Sequence, residues 1–195
     1  MKLKLALALT LSTLGVGSAF ADTIDFTGSN ASLGHSHVYN PGPNSVTAYA
    51  FGGSALLYGK HGGGSENGVG IAGNSDNEIS NLTFIQLDLA NISGLFSLAI
   101  GSTQRVEGFL VCSSNTLGSL GACVDFMVPG TDPFSTPNSM KSNRFVSIQA
   151  DRAGSDVLLN GLTTTPSPVP EPGSFFLLGT GIAAAVGMVR RKLSV

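Results

Sequence analysis

The sequence predicts an all-β protein, an antiparallel β-sandwich of jelly-roll or immunoglobulin-like topology, set between an N-terminal signal peptide and a C-terminal single transmembrane helix. Three observations predict it. Short runs of alternating apolar and polar residues recur through the middle of the chain, and Gly, Asn or Pro stands between them. No long helical period competes with them there. The uncharged apolar runs of greater length lie in the first twenty and the last thirty residues.

Lys2 and Lys4 precede the apolar run Leu5 to Val16, and Ala19-Phe20-Ala21 puts small residues where a signal peptidase reads them. Residues 1–21 are therefore expected to be removed, with Asp22 as the new first residue. Residues 22–162 form the ectodomain. Its first run, Thr23 to Phe26, places Ile24 and Phe26 on one face; Val46 to Phe51 follows the turn Pro41-Gly42-Pro43-Asn44. Leu82 to Leu89 puts Ile85, Leu87 and Leu89 on one face, and Leu95 to Ile100 does the same with Phe96, Leu98 and Ile100. Val106 to Cys112, Val124 to Val128, Phe145 to Ala150 and Val157 to Leu159 continue the series. Several short strands at this spacing argue a sandwich. Residues 163–168, Thr-Thr-Thr-Pro-Ser-Pro, read as a proline-stiffened linker.

Charge narrows the partners. The whole chain carries a formal net charge of -2, but residues 22–168 hold five bases against eleven acids, a net of -6. Such a domain has no electrostatic attraction for nucleic acid or anionic lipid; neutral glycan, a divalent cation or another protein suits it better. The two cysteines, Cys112 and Cys123, both fall in this exported part. In an oxidising compartment they read as one disulfide, which would close a loop of about a dozen residues and contribute about 3 kcal/mol by chain entropy.

Residues 169–195 have three parts. In Val169-Pro170-Glu171-Pro172-Gly173-Ser174 two prolines fix φ, remove two backbone donors and push Val169 and Glu171 out of the helical region, so the motif is extended and suits an enzyme cleft. Residues 175–189 are uncharged and as a helix would reach roughly 22 Å, short for a bilayer core unless flanking residues snorkel. In the basic tail 190–195, Arg190, Arg191 and Lys192 hold that end on the cytoplasmic side. This ordered set resembles the PEP-CTERM sorting signal of Gram-negative bacteria. The resemblance implies that Pro170-Glu171-Pro172 is recognised by exosortase, a multi-pass membrane cysteine transpeptidase, which removes the helix and releases or transfers the domain in front of it. The inner membrane would hold the intermediate, and the product would reach the cell surface or the extracellular space. Association with exopolysaccharide and biofilm is also implied by the resemblance.

The remaining chemistry is sparse. Glu66, Asp76 and Glu78 offer hard oxygen ligands in one short stretch and are the candidate calcium ligands, although solvated loop acids look the same and no EF-hand spacing occurs. His35, His37 and His61 are a weaker zinc set, since no spacing forces His61 near the other two. Gly62-Gly63-Gly64 lacks the Lys-Ser/Thr of a phosphate loop. No Gly-x-Ser-x-Gly elbow occurs in the ectodomain, and no carboxylate pair singles itself out, so the expectation is a non-enzyme. The leading expectation is an exported, non-catalytic surface or matrix protein. The other is a glycan-binding sandwich, calcium-dependent or not, whose sugar platform falls to Tyr39, Tyr49 or Tyr58 because there is no Trp.

Overall fold

In the computed structural model the described residues are 21–64, 66–103, 107–127, 134–137, 139–140 and 143–165. They form two antiparallel sheets, of eight and six strands, packed face to face, as the alternating runs predict. The strands are β1 (Thr23–Asp25), β2 (Ala31–Gly34), β3 (Ser36–Tyr39), β4 (Val46–Phe51), β5 (Leu57–His61), β6 (Asn67–Ile71) and β7 (Phe84–Asp88). There follow β8 (Leu95–Gly101), β9 (Gly108–Ser114), β10 (Ala122–Met127), β11 (Phe134–Ser135), β12 (Ser139–Met140), β13 (Phe145–Ala150) and β14 (Leu158–Thr165). The larger sheet runs β11-β8-β14-β6-β5-β2, with β1 also on β14 and β12 on β8; the smaller runs β10-β9-β13-β7-β4-β3.

The alternation in the sequence sets which side faces in. Phe96, Leu98 and Ile100 of β8 meet Ile85 and Leu87 of β7 in one buried core, joined by Ile24, Leu57, Val69, Ile148 and Leu162. Burial of these side chains is the main driving force, roughly 1.5–3 kcal/mol each. Phe26 and Tyr39 close one margin edge to face, their ring centroids 4.5 Å apart.

β14 is the most heavily paired strand. It runs antiparallel to β8 from Leu158 to Thr165, with a register shift between Leu159 and Gly161, and pairs β6 at Leu159 and β1 over Gly161 to Thr163. Thr163, Thr164 and Thr165 are therefore strand residues. The sequence assigned them to the linker because threonine beside Pro-Ser-Pro looks polar and irregular, but threonine is β-branched and fits a sheet. Asp22 is tied to the same strand: its amide donates to Thr164 Oγ1 at 3.1 Å, and its carbonyl accepts the Thr164 amide at 2.8 Å.

Six strands escaped the sequence reading: β11 and β12 are two residues each, and β2, β3, β5 and β6 lack clean alternation. β5 and β6 carry glycines at positions 59, 68 and 70, where other backbone approaches too closely for a side chain. A Cβ on Gly70 would collide with the carbonyl of Asn77, and one on Gly68 would stand 2.7 Å from the carbonyl of Leu159. β2 and β3 are four residues each and lie at sheet edges.

The outer face of the smaller sheet is covered locally by its own hairpin. Cys112 and Cys123 lie directly opposite on β9 and β10 and form the expected disulfide at the base of the loop 115–121. That loop folds back over Gln86, which is fully buried. Gln86 Nε2 donates to the Ser119 carbonyl at 2.9 Å and to Ser147 Oγ at 3.1 Å, while its Oε1 accepts the Gly118 amide at 2.7 Å. Replacing Gln86 by Leu strands these groups, and the expected loss is about 1–3 kcal/mol in urea unfolding. The double variant Cys112→Ala/Cys123→Ala is expected to lose about 2–4 kcal/mol in the same assay, a difference that should vanish when both proteins are compared under reducing conditions.

Candidate functional site

One cluster of chemically capable side chains is assembled on the outward side of the larger sheet. Lys60 alternates with the core residues Leu57 and Gly59 along β5 and so projects away from the core. Glu66 immediately precedes β6, Ser102 immediately follows β8, and Glu78 follows the short turn Ser75–Asn77. That turn is held over Gly70 by Asn74, whose Nδ2 donates to the Glu78 carbonyl at 2.7 Å and to Thr83 Oγ1 at 2.8 Å. The next residue, Ile79, exchanges two backbone hydrogen bonds with Val157, at 2.9 and 3.1 Å. Glu78 is thus fixed on both sides in sequence.

Lys60 Nζ donates to Glu66 Oε2 at 2.6 Å and to Glu78 Oε1. Ser102 Oγ lies 3.0 Å from Glu66 Oε1 and 2.9 Å from Glu78 Oε1. The side chains differ in exposure: Glu78 4%, Lys60 16% and Glu66 39%. Their protonation follows. Burial pushes the Glu78 carboxyl up to about 7, against the opposing hydrogen bonds from Lys60 and Ser102. The hydrogen bond from Lys60 is the main cause that holds Glu66 below the ordinary carboxylate range. Burial works to lower Lys60, but the hydrogen bonds to Glu66 and Glu78 outweigh it and the net shift is upward. Nearby Asp156 is raised, first by burial and then by the charge of Asp76.

Of the three calcium candidates, the fold brings Glu66 and Glu78 together and leaves Asp76 exposed in a left-handed turn conformation, φ 51°. The Lys60 ammonium lies against the oxygens of Glu66 and Glu78 that a cation would use. Among the described residues no group of three or more His, Cys, Asp or Glu is arranged to hold a metal ion. The histidines are dispersed: His35 Nδ1 is 2.6 Å from the Ala55 carbonyl, His37 packs against Tyr39, and the His61 amide donates to Asn30 Oδ1. The tyrosines occupy three different surfaces. Tyr39 is in the core margin, where burial raises its phenol, Tyr49 alternates with core residues on β4, and Tyr58 does so on β5 of the other sheet.

Sequence reasoning missed Lys60 and Ser102. Lys60 had a usable signal, being the sole base between residues 22 and 104 in a stretch containing six acids. Ser102 had none. Apart from this cluster, an opening of about 230 Å³ lies between the sheets beside β8, β9 and β10 and is mostly apolar, lined by Phe96, Leu98, Val111, Val124, Phe126 and Val146 with Thr136 and Ser113.

The processing residues fall at the two margins of the domain. Ala21 and Asp22 are described, and Asp22 is bonded to β14 as above; Ala19, Val169, Pro170, Glu171 and Pro172 lie outside the described residues, as do the expected span 175–189 and the basic tail. Among the described residues no helix is long and apolar enough to cross a membrane. Residues 168–192 match the family model of the PEP-CTERM protein-sorting motif. The chain carries a PEP-CTERM sorting signal. Comparison with curated proteins and with solved structures finds no match to the chain. The PEP-CTERM match spans the Pro-Glu-Pro motif, the apolar run and the three basic residues expected to work together, and it marks an exported protein sorted by exosortase along a membrane-passing route to the cell surface.

The ion cluster and the surface pair Arg144–Asp88 should separate in stability measurements. Arg144 makes a forked contact with Asp88, at 2.6 Å from Nη2 and 3.0 Å from Nε, but its side chain is 57% exposed and water can replace it. Lys60→Ala removes the cation from an almost wholly buried carboxyl and is expected to cost about 3 kcal/mol, clearly more than Arg144→Ala, in urea unfolding at neutral pH.

Proposed function

We propose that this is an exported, non-catalytic β-sandwich protein that exosortase processes at Pro170-Glu171-Pro172, and that its mature form resides at the cell surface or in the extracellular matrix in association with exopolysaccharide. The observation that carries the reading is the PEP-CTERM match over residues 168–192. Two features of the ectodomain support it. Signal-peptide removal after Ala21 would leave Asp22, whose backbone already completes the end of a sheet through Thr164. At the other margin β14 ends at Thr165, so excision of the tail near residue 171 leaves every described strand intact.

A non-catalytic role accords with the one polar cluster described above, in which Lys60, Glu66, Glu78 and Ser102 satisfy one another. The domain's net charge of -6 gives it no attraction for anionic polymers, so the matrix partner expected is a neutral or weakly charged polysaccharide.

The test is expression of the full chain, tagged within the ectodomain, in a Gram-negative host with and without its exosortase, followed by fractionation and intact-protein mass spectrometry. The expected result is a species lacking both ends only when exosortase is present, recovered outside the inner membrane and co-extracting with polysaccharide. Glu171→Ala should leave the tail attached. If the tail stays on in both strains, the processing reading fails; if it is removed but the product washes free of polysaccharide, the matrix association fails.

A further inference from the structure

We propose that Lys60 and Glu78 become joined by an intramolecular isopeptide bond, formed by the protein's own side-chain cluster with Glu66 as the base. The geometry is that of a condensation held at its starting point. The amine of Lys60 is in contact with a Glu78 oxygen and 2.6 Å from Glu66 Oε2, and one hydroxyl, Ser102, touches both carboxyls. Ser102 has a single proton to donate, so both contacts are satisfied together when one carboxyl is protonated and donates to Oγ. The buried Glu78 is the carboxyl that takes that proton, and the more exposed Glu66 stays charged.

Burial and contact bring the reactive form within reach. In water an ammonium and a carboxylate are too well solvated to condense, but here the nucleophile and electrophile are 16% and 4% exposed and in direct contact. Although the ammonium is the resting form of Lys60, passing one proton to Glu78 gives a neutral amine and acid that burial disfavours less than it would two separate charges. Fixing both groups on paired backbone replaces a bimolecular encounter by an intramolecular one. The atoms balance without any co-reactant. Proton transfer within the pair gives the neutral amine and the neutral acid. Lys60 Nζ then attacks Glu78 Cδ while Ser102 donates to the developing oxyanion. Glu66 accepts a proton from Nζ and returns it to the departing hydroxyl. One N–C bond forms, one C–O bond breaks, one water leaves, and nothing is oxidised or reduced.

Mass spectrometry of the protein recovered after export, with the disulfide reduced, tests this directly. The expected mass is lower by one water than that of the polypeptide with the same two ends. A protease that cuts before aspartate divides the chain between residues 75 and 76, which puts Lys60 and Glu78 on separate fragments. In the linked protein, fragment 76–87 should stay attached to fragment 25–75, and fragmentation should locate the branch at Lys60 and Glu78. Lys60→Arg, which keeps the cation and its ion pairs, should restore the full mass and release the two fragments; Glu66→Gln should do the same. A wild-type protein of unreduced mass, or fragments that separate, overturns the bond. A Glu66→Gln protein linked as fully as wild type overturns the role of Glu66. The outcome is independent of exosortase processing, which acts at the other end of β14.

Discussion

The main-chain hydrogen bonding of β14 is the constraint on which the rest of the domain depends. One edge of the strand is bonded to β8 from Leu158 to Thr165, and the other to β6 and β1, so it occupies the interior of the larger sheet. Buried backbone donors and acceptors must be paired, and an interior strand pairs both of its edges. The same strand collects both margins of the domain. The amide and carbonyl of Asp22 bond to Thr164, and the chain continues from Thr165 towards the sorting motif. The described domain thus ends, towards the sorting motif, on its best-bonded strand rather than on an edge strand.

Two further parts of the fold bury polar groups on the outward faces of the sheets, each satisfied by a segment that crosses over. On the larger sheet the segment from Asn74 to Ile79 lies across Gly70 and carries Glu78 down to Lys60, Glu66 and Ser102. On the smaller sheet the disulfide-closed hairpin loop crosses Gln86 and takes two of its amide hydrogen bonds, the third going to Ser147 on β13. The energetic logic is the same in both. A buried polar group without a partner costs more than a paired one contributes, so each crossing segment is locked to the position where its partners are complete. The two clusters differ in charge: Gln86 is neutral and needs only hydrogen bonds, whereas Glu78 must also be neutralised, by the Lys60 cation or by a proton.

The isopeptide proposal and the sorting signal meet in the environment they imply. A domain delivered outside the cell lacks the folding support and turnover of the cytoplasm, and one disulfide across a hairpin constrains only a short loop. A second cross-link between Lys60 and Glu78 would tie β5 to the segment that leads into β7 and so join the two sheets covalently.

By itself the sequence determined the fold class, the faces of the regular strands, the disulfide and the sorting signal, because each is written in local order. Period-two alternation placed Ile85, Leu87, Phe96, Leu98 and Ile100 correctly in the core. Two cysteines in an exported chain leave one pairing, and the motif over residues 168–192 is contiguous. The tertiary structure decided the rest. Glycines in β5 and β6 signal a loop when read locally, yet these segments pair as strands, and the glycines are required because the backbone of Ser29 lies against Gly59, that of Leu159 against Gly68 and that of Asn77 against Gly70. Thr163 to Thr165 look like a linker until β8 offers them hydrogen bonds. Lys60, Glu66, Glu78 and Ser102 span 43 positions of the chain and share no spacing rule, so only the crossing of distant backbone over one sheet face, held by its own hydrogen bonds, makes them neighbours.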